Sequence, residues 1–91
     1  MRVLGYMTDW CPDCVRSLRV LQQAGVEYSL IDIDETEDAE VAMRNVNGGS
    51  GKVPTIVIDT SGGRRVLVEP GDDELMEALH HARTEGEATV K

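Results

Sequence analysis

Cys11-Pro12-Asp13-Cys14 sets the two cysteines of the chain three positions apart. That spacing suits thiol–disulfide exchange. If a helix begins here, the Cys11 sulfur faces unpaired backbone N–H groups and the positive end of the helix dipole. Both favour thiolate, the nucleophile of the exchange. Pro12 fits the first helical position, where its missing N–H costs nothing and its fixed φ is already helical. Cys14, at i+3, then lies on the same helix face and within reach of a mixed disulfide on Cys11. Two other chemistries are weaker. Zinc needs four ligands, and the remaining candidates, His80 and His81, lie far along the chain, so no metal is expected. A structural disulfide here would close a loop too short to remove much chain entropy.

The segments around the cysteines must position them. Arg2 to Met7 reads as a short buried strand. Cys11 to Ala24 has helical periodicity through Val15, Leu18, Leu21 and Gln22, and Gly25 stops it. Glu27 to Ile33 reads as a second strand, parallel to the first because a helix intervenes. Its Tyr28, Leu30 and Asp32 would face one way, and Ser29, Ile31 and Ile33 the other. Thr36 to Val46 suits an acidic helix with Ala39, Ala42, Met43 and Val46 inward, and residues 47–51 a flexible loop. Thr55 to Asp59 and Arg65 to Val68 form a hairpin around Thr60-Ser61-Gly62-Gly63. Pro70-Gly71-Asp72-Asp73 opens a last helix with Leu75, Met76 and Leu79 as its stripe, His80 and His81 near its end, and a fraying polar tail over residues 84–91. The order is βαβαββα, an α/β chain of one domain over residues 1–83.

Composition narrows the setting. Aromatic residues are 3% of the chain and Phe is absent, so aliphatic side chains must fill the core, and an exposed Trp10 beside Cys11 points to function. The formal net charge of −8 argues against nucleic acid and anionic membrane as partners. No apolar run approaches a membrane span, and Met1-Arg2-Val3-Leu4 enters a strand without signal-peptide architecture. A reducing cytoplasm is the expected compartment, where a cysteine pair is catalytic more often than structural.

Four segments carry a family resemblance: Tyr6-Met7-Thr8-Asp9-Trp10-Cys11-Pro12-Asp13-Cys14, Val46-Asn47-Gly48-Gly49, Val53-Pro54-Thr55 and Pro70-Gly71-Asp72-Asp73-Glu74-Leu75. On these the chain resembles glutaredoxins of the thioredoxin superfamily, and most of all the mycoredoxins of actinobacteria. The resemblance implies a thioredoxin-like fold, a four-stranded mixed sheet flanked by helices. It also implies a cis peptide at Val53-Pro54 beside the cysteines, whose backbone would pair with an extended substrate. The implied activity is reduction of mixed disulfides between proteins and a low-molecular-weight thiol, with mycothiol, glutathione and bacillithiol as the candidates. That thiol would lie in a groove formed by Trp10, Asp13, Val53, Gly71, Asp72 and Asp73. Lys52 and Arg16 are candidate partners for its carboxylate or for the thiolate; for Arg16 a solvated helix position competes, and for Asp72 and Asp73 plain N-terminal capping. Asp13 departs from the family pattern, which more often has Tyr or another uncharged residue. A carboxylate about 7 Å from the sulfur opposes its negative charge by about 1 kcal/mol at an effective dielectric of about 40. A monomer is expected. Two other functions stay open: a dithiol electron donor reduced by a flavoprotein reductase, and an iron–sulfur carrier, which Pro12 disfavours.

Overall fold

Alternating apolar residues in three strands give the sheet two buried faces, and the helices divide between them. The structure is a computed structural model that describes residues 1–90, with side chains described through Thr84. Strands β1 (Arg2–Met7), β2 (Ser29–Asp32), β3 (Thr55–Thr60) and β4 (Gly63–Val68) form one sheet in the order β2-β1-β3-β4. β1 is parallel to β2 and antiparallel to β3, and β3 is antiparallel to β4. Helices α1 (Pro12–Ala24), α2 (Ala39–Asn47) and α3 (Asp72–Val90) complete the βαβαββα order. This is the mixed four-stranded sheet of a thioredoxin-like fold.

One face of the sheet carries the larger core. Val3 and Met7 of β1, Ile56 and Ile58 of β3 and Leu67 of β4 pack there against Cys14, Val20 and Leu21 of α1 and Leu75, Ala78, Leu79 and Ala82 of α3. The opposite face is covered by α2 and is thinner: Tyr6, Met43 and Val57 are buried, with Ile31, Ile33, Ala42 and Val46 packed around them. The alternation expected for β2 holds, since Tyr28 joins the larger cluster and Ile31 and Ile33 the smaller. Gly5 belongs between these strands, because a Cβ there would sit 2.8 Å from the Met7 methyl carbon and 3.2 Å from Leu30 Cδ2.

Several boundaries and faces differ from the sequence expectation. β2 is four residues long, Ser29–Asp32, shorter at both ends than expected, and pairs only with β1. α2 starts at Ala39 rather than Thr36, since the Asp32 carbonyl takes the Glu35 and Thr36 amides into a turn first. The β3–β4 hairpin pairs Thr60 with Gly63, which leaves Ser61-Gly62 as its loop. On α1 the inward residues are Cys14, Ser17, Val20 and Leu21, while Val15 and Gln22 face out. Burying Cys14 at the first turn sets that register. On α3, Met76 is exposed and Ala78 and Ala82 take the inner stripe. The α3 backbone is helical through Val90, so His80 and His81 lie mid-helix and not at its end, and the stretch expected to fray from residue 84 is helical as far as it is described.

Candidate active site

Only four residues separate the end of β1 from the start of α1, so Cys11 is held at the carboxyl end of a central strand. Cys11 is the N-cap of α1, in extended backbone conformation at φ −92° and ψ 116°. Its carbonyl accepts the Val15 amide at 3.1 Å, and its Sγ accepts the Cys14 amide at 3.3 Å. A thiol therefore stands where Ser or Asp usually caps a helix, and the amide that would bond a capping oxygen stabilises negative charge on sulfur. The Cys11 S–H donates to the Val53 carbonyl at 3.8 Å. The Val53-Pro54 peptide is cis, as the resemblance implies.

Both cysteines are free thiols, and they differ in surroundings. Cys14 is 2% exposed and Cys11 6%. Burial pushes the Cys14 thiol up to about 12; the neighbouring Cys11 adds to that, and hydrogen bonding from Thr8 opposes it. Cys14 is thus kept protonated at neutral pH. The i, i+3 spacing brings the pair within the Cα separation that a disulfide spans.

The loop that carries Val53 is built by Asn47, the last residue of α2. Its side-chain amide donates to the Ser50 carbonyl at 2.9 Å and to Thr55 Oγ1 at 3.1 Å, and its Oδ1 accepts the Ser50 amide at 2.8 Å. Thr55 Oγ1 donates in turn to the Lys52 carbonyl at 3.0 Å. Residues expected to form a flexible loop are therefore tied to a fully buried β3 threonine. On the far side of Pro54, its carbonyl accepts the Glu69 amide at 2.8 Å, and Glu69 adopts a left-handed φ of 48° to deliver it.

The remaining candidates fall around this centre. Trp10 is 67% exposed, and its indole Nε1 donates to Asp34 Oδ2 at 2.7 Å. Asp34 lies in an acidic stretch of the sequence, and its bond to a residue 24 positions away has no local signal. Pro12 is the first helical residue and is exposed. Asp13 pairs with Arg16, so the carboxylate near the sulfur is offset by a guanidinium one turn on. Lys52 is likewise engaged, its Nζ 3.7 Å from Glu69 Oε1. Gly71, Asp72 and Asp73 open α3, where the Leu75 amide bonds the Gly71 carbonyl and the Gly71 amide donates to Glu74 Oε1 at 3.4 Å. Glu74 thus reaches back to the amide of the residue before the helix, while the Gly71 carbonyl accepts the first helical bond. Gly71, Asp72, Asp73 and Glu74 line a shallow depression that Arg16 completes.

Comparison with known proteins agrees with this arrangement. The glutaredoxin family model matches residues 3–62. Mycoredoxin 1 of Corynebacterium glutamicum is 47% identical over 51 residues, covering 56% of this chain and 62% of that protein. A glutaredoxin of Pseudomonas aeruginosa is 40% identical over 58 residues, covering 62% of this chain and 66% of that one. The matched part thus spans about two thirds or less of these two relatives. The crystal structure of a glutaredoxin from Archaeoglobus fulgidus superimposes with a TM-score of 0.73 at 28% identity, covering 85% of this chain and 84% of that one.

Proposed function

The chain belongs to the glutaredoxin family, and on that premise we propose that it reduces mixed disulfides between proteins and a low-molecular-weight thiol, with Cys11 as the attacking group. The observation that carries this reading is the capping position of Cys11, whose sulfur receives an amide N–H at 3.3 Å while lying against the Val53 carbonyl. In the first step the Cys11 thiolate attacks the small-thiol sulfur of the mixed disulfide. A bond forms between Cys11 and that sulfur, and the protein thiolate leaves and takes a proton from solvent. A second molecule of the small thiol then attacks the adduct, leaves as the symmetrical disulfide and frees the Cys11 thiolate; attack by Cys14 instead releases the small thiol and leaves a Cys11–Cys14 disulfide, which two further molecules of the small thiol reduce.

The depression between Arg16 and the start of α3 supports a binding place for the small thiol. Amides at the α3 start suit a carboxylate, and Asp72 and Asp73 suit an amine or sugar hydroxyls. Lys52 and Val53 would flank the sulfur end, and Trp10 would wall the opposite side. Mycothiol is the favoured thiol on the mycoredoxin similarity, with glutathione and bacillithiol as the alternatives. The protein would act as a monomer in a reducing cytoplasm. No helix among the described residues is long and apolar enough to cross a membrane.

The test compares wild type, Cys14→Ser and Cys11→Ser on mixed disulfides bearing each of the three thiols. Cys14→Ser is expected to keep activity with one of them, and Cys11→Ser to lose it with all. Loss in Cys14→Ser with all three, while wild type still reduces protein disulfides, overturns the proposal in favour of a dithiol electron donor.

A further inference from the structure

Arg44, one turn before the end of α2, holds the outer side of the loop whose inner side Asn47 builds. Its main-chain carbonyl accepts the amides of Gly48 and Gly49, the latter at 2.8 Å, and its Nη1 donates back to the Gly49 carbonyl at 2.8 Å. Nε and Nη2 each lie 3.0 Å from Glu40 Oε2. The guanidinium also covers Gly51, where a Cβ would lie 2.9 Å from Arg44 Cζ and closer still to Nη2. Gly51 does not take a left-handed φ, so its backbone does not call for glycine. What glycine provides there is room for the Arg44 side chain. An exposed i, i+4 ion pair adds little to a helix, and the Glu40–Arg44 pair needs neither the bond to Gly49 nor the cleared space at Gly51.

We propose that Arg44 is a positioning residue for the Val53 backbone, its guanidinium clamping Gly49 to Gly51 so that the peptide beyond them is already in place when a substrate chain pairs with it. This rests on the reading that Cys11 is the attacking thiol and that the Val53 backbone receives an extended substrate. The path from clamp to sulfur is short. The Lys52 amide donates to Ser50 Oγ at 3.1 Å, the Lys52 carbonyl accepts Thr55 Oγ1 at 3.0 Å, and the Val53 carbonyl lies 3.8 Å from Cys11 Sγ. Asn47 fixes Ser50 from the inside, but three of the four residues before Lys52 are glycines, the residue type that loses most conformational freedom on being ordered. With the outer clamp in place that freedom is already removed in the free protein. Without it, part of the ordering cost falls on substrate binding, and only on substrates that use the Val53 peptide groups.

Two reagents separate positioning from general damage: the mixed disulfides of 2-nitro-5-thiobenzoate with acetyl-Gly-Cys-Gly-amide and with 2-mercaptoethanol. In each, the Cys11 thiolate attacks the aliphatic sulfur, a disulfide to Cys11 forms, the original disulfide breaks, and the coloured aryl thiolate leaves. Only the peptide reagent has a backbone to pair with Val53. Arg44→Ala and Gly51→Ala should each slow colour release from the peptide reagent at least about fivefold, the factor of one backbone hydrogen bond, and leave release from the mercaptoethanol reagent unchanged. Gly51→Ala meets only the far end of a flexible side chain, so it displaces the guanidinium without a clash in the core. The double variant should be no slower than the slower single one, since both remove the same contact. Glu40→Gln, which alters the ion pair and spares the loop contacts, should react as wild type with both reagents. No natural thiol takes part, so failure of the mixed-disulfide reading would show in turnover with glutathione, mycothiol or bacillithiol and not in these rates. A wild-type rate with the peptide reagent in either single variant, equal slowing with both reagents, or additive slowing in the double variant overturns the proposal.

Discussion

Replacing Cys14 with Ser is expected to flatten the alkaline limb of the stability curve. In the folded protein the Cys14 thiol titrates at about 12, against 9.0 for an unperturbed thiol. Above the lower value the unfolded chain releases a proton that the folded chain retains, so stability falls as pH rises and the loss is complete only above the higher value. At about pH 10.5 the difference is about 1.5 units, or about 2 kcal/mol, and the ceiling at higher pH is about 4 kcal/mol. The assay is urea unfolding of the reduced protein at about pH 7, 9 and 10.5. Wild type should lose about 2 kcal/mol more than Cys14→Ser across that range, the subtraction cancelling every other titrating group. Cys11→Ser should fall between them, because Cys11 contributes to holding Cys14 protonated and burial remains. Equal pH slopes for wild type and Cys14→Ser would refute the claim that Cys14 is buried as a neutral thiol.

Asn47→Ala should cost about 1–3 kcal/mol in denaturant unfolding, since it leaves the Ser50 amide without its partner and the Thr55 hydroxyl with Lys52 alone; a cost near zero would mean the loop forms without it. Leu21→Ala should cost about 2–5 kcal/mol and Val15→Ala less than about 0.5 kcal/mol, because the first is fully buried and the second faces solvent. Comparable costs would place the wrong face of α1 inward. Asp34→Ala should leave the thermal midpoint unchanged and raise KM for protein mixed disulfides with kcat held, because it frees the Trp10 ring from its one described hydrogen bond; an unchanged KM would mean that the ring's orientation plays no part in binding.

What the sequence made legible was whatever depends on neighbours in the chain. Cys11, Pro12 and Cys14 define a cap, a first turn and a reachable second sulfur within one helical turn. The β-branched run from Thr55 defines a strand. The register of α1 was less legible, because Ser17 is buried and Val15 is not; hydrophobicity alone assigns those two the other way round. Val53-Pro54 was readable as cis only through the family resemblance. The contacts that shape the site join distant positions: Trp10 to Asp34, Lys52 to Glu69, and Asn47 to Thr55. In each, a polar residue that looks like ordinary surface or loop composition acquires its role from the fold.

The unequal division of the interior has a consequence for how the molecule opens. Cys11 and Cys14 belong to the larger cluster with α1 and α3, whereas Asn47, which builds the Val53 loop, ends the helix that covers the smaller one. Local unfolding follows buried contact, so the α2 half should exchange its amide hydrogens well before the α1–α3 half. The two walls of the reactive centre then belong to different cooperative units. A bulky disulfide could enter by partial melting of the α2 side, while the nucleophile and its helix stay in place.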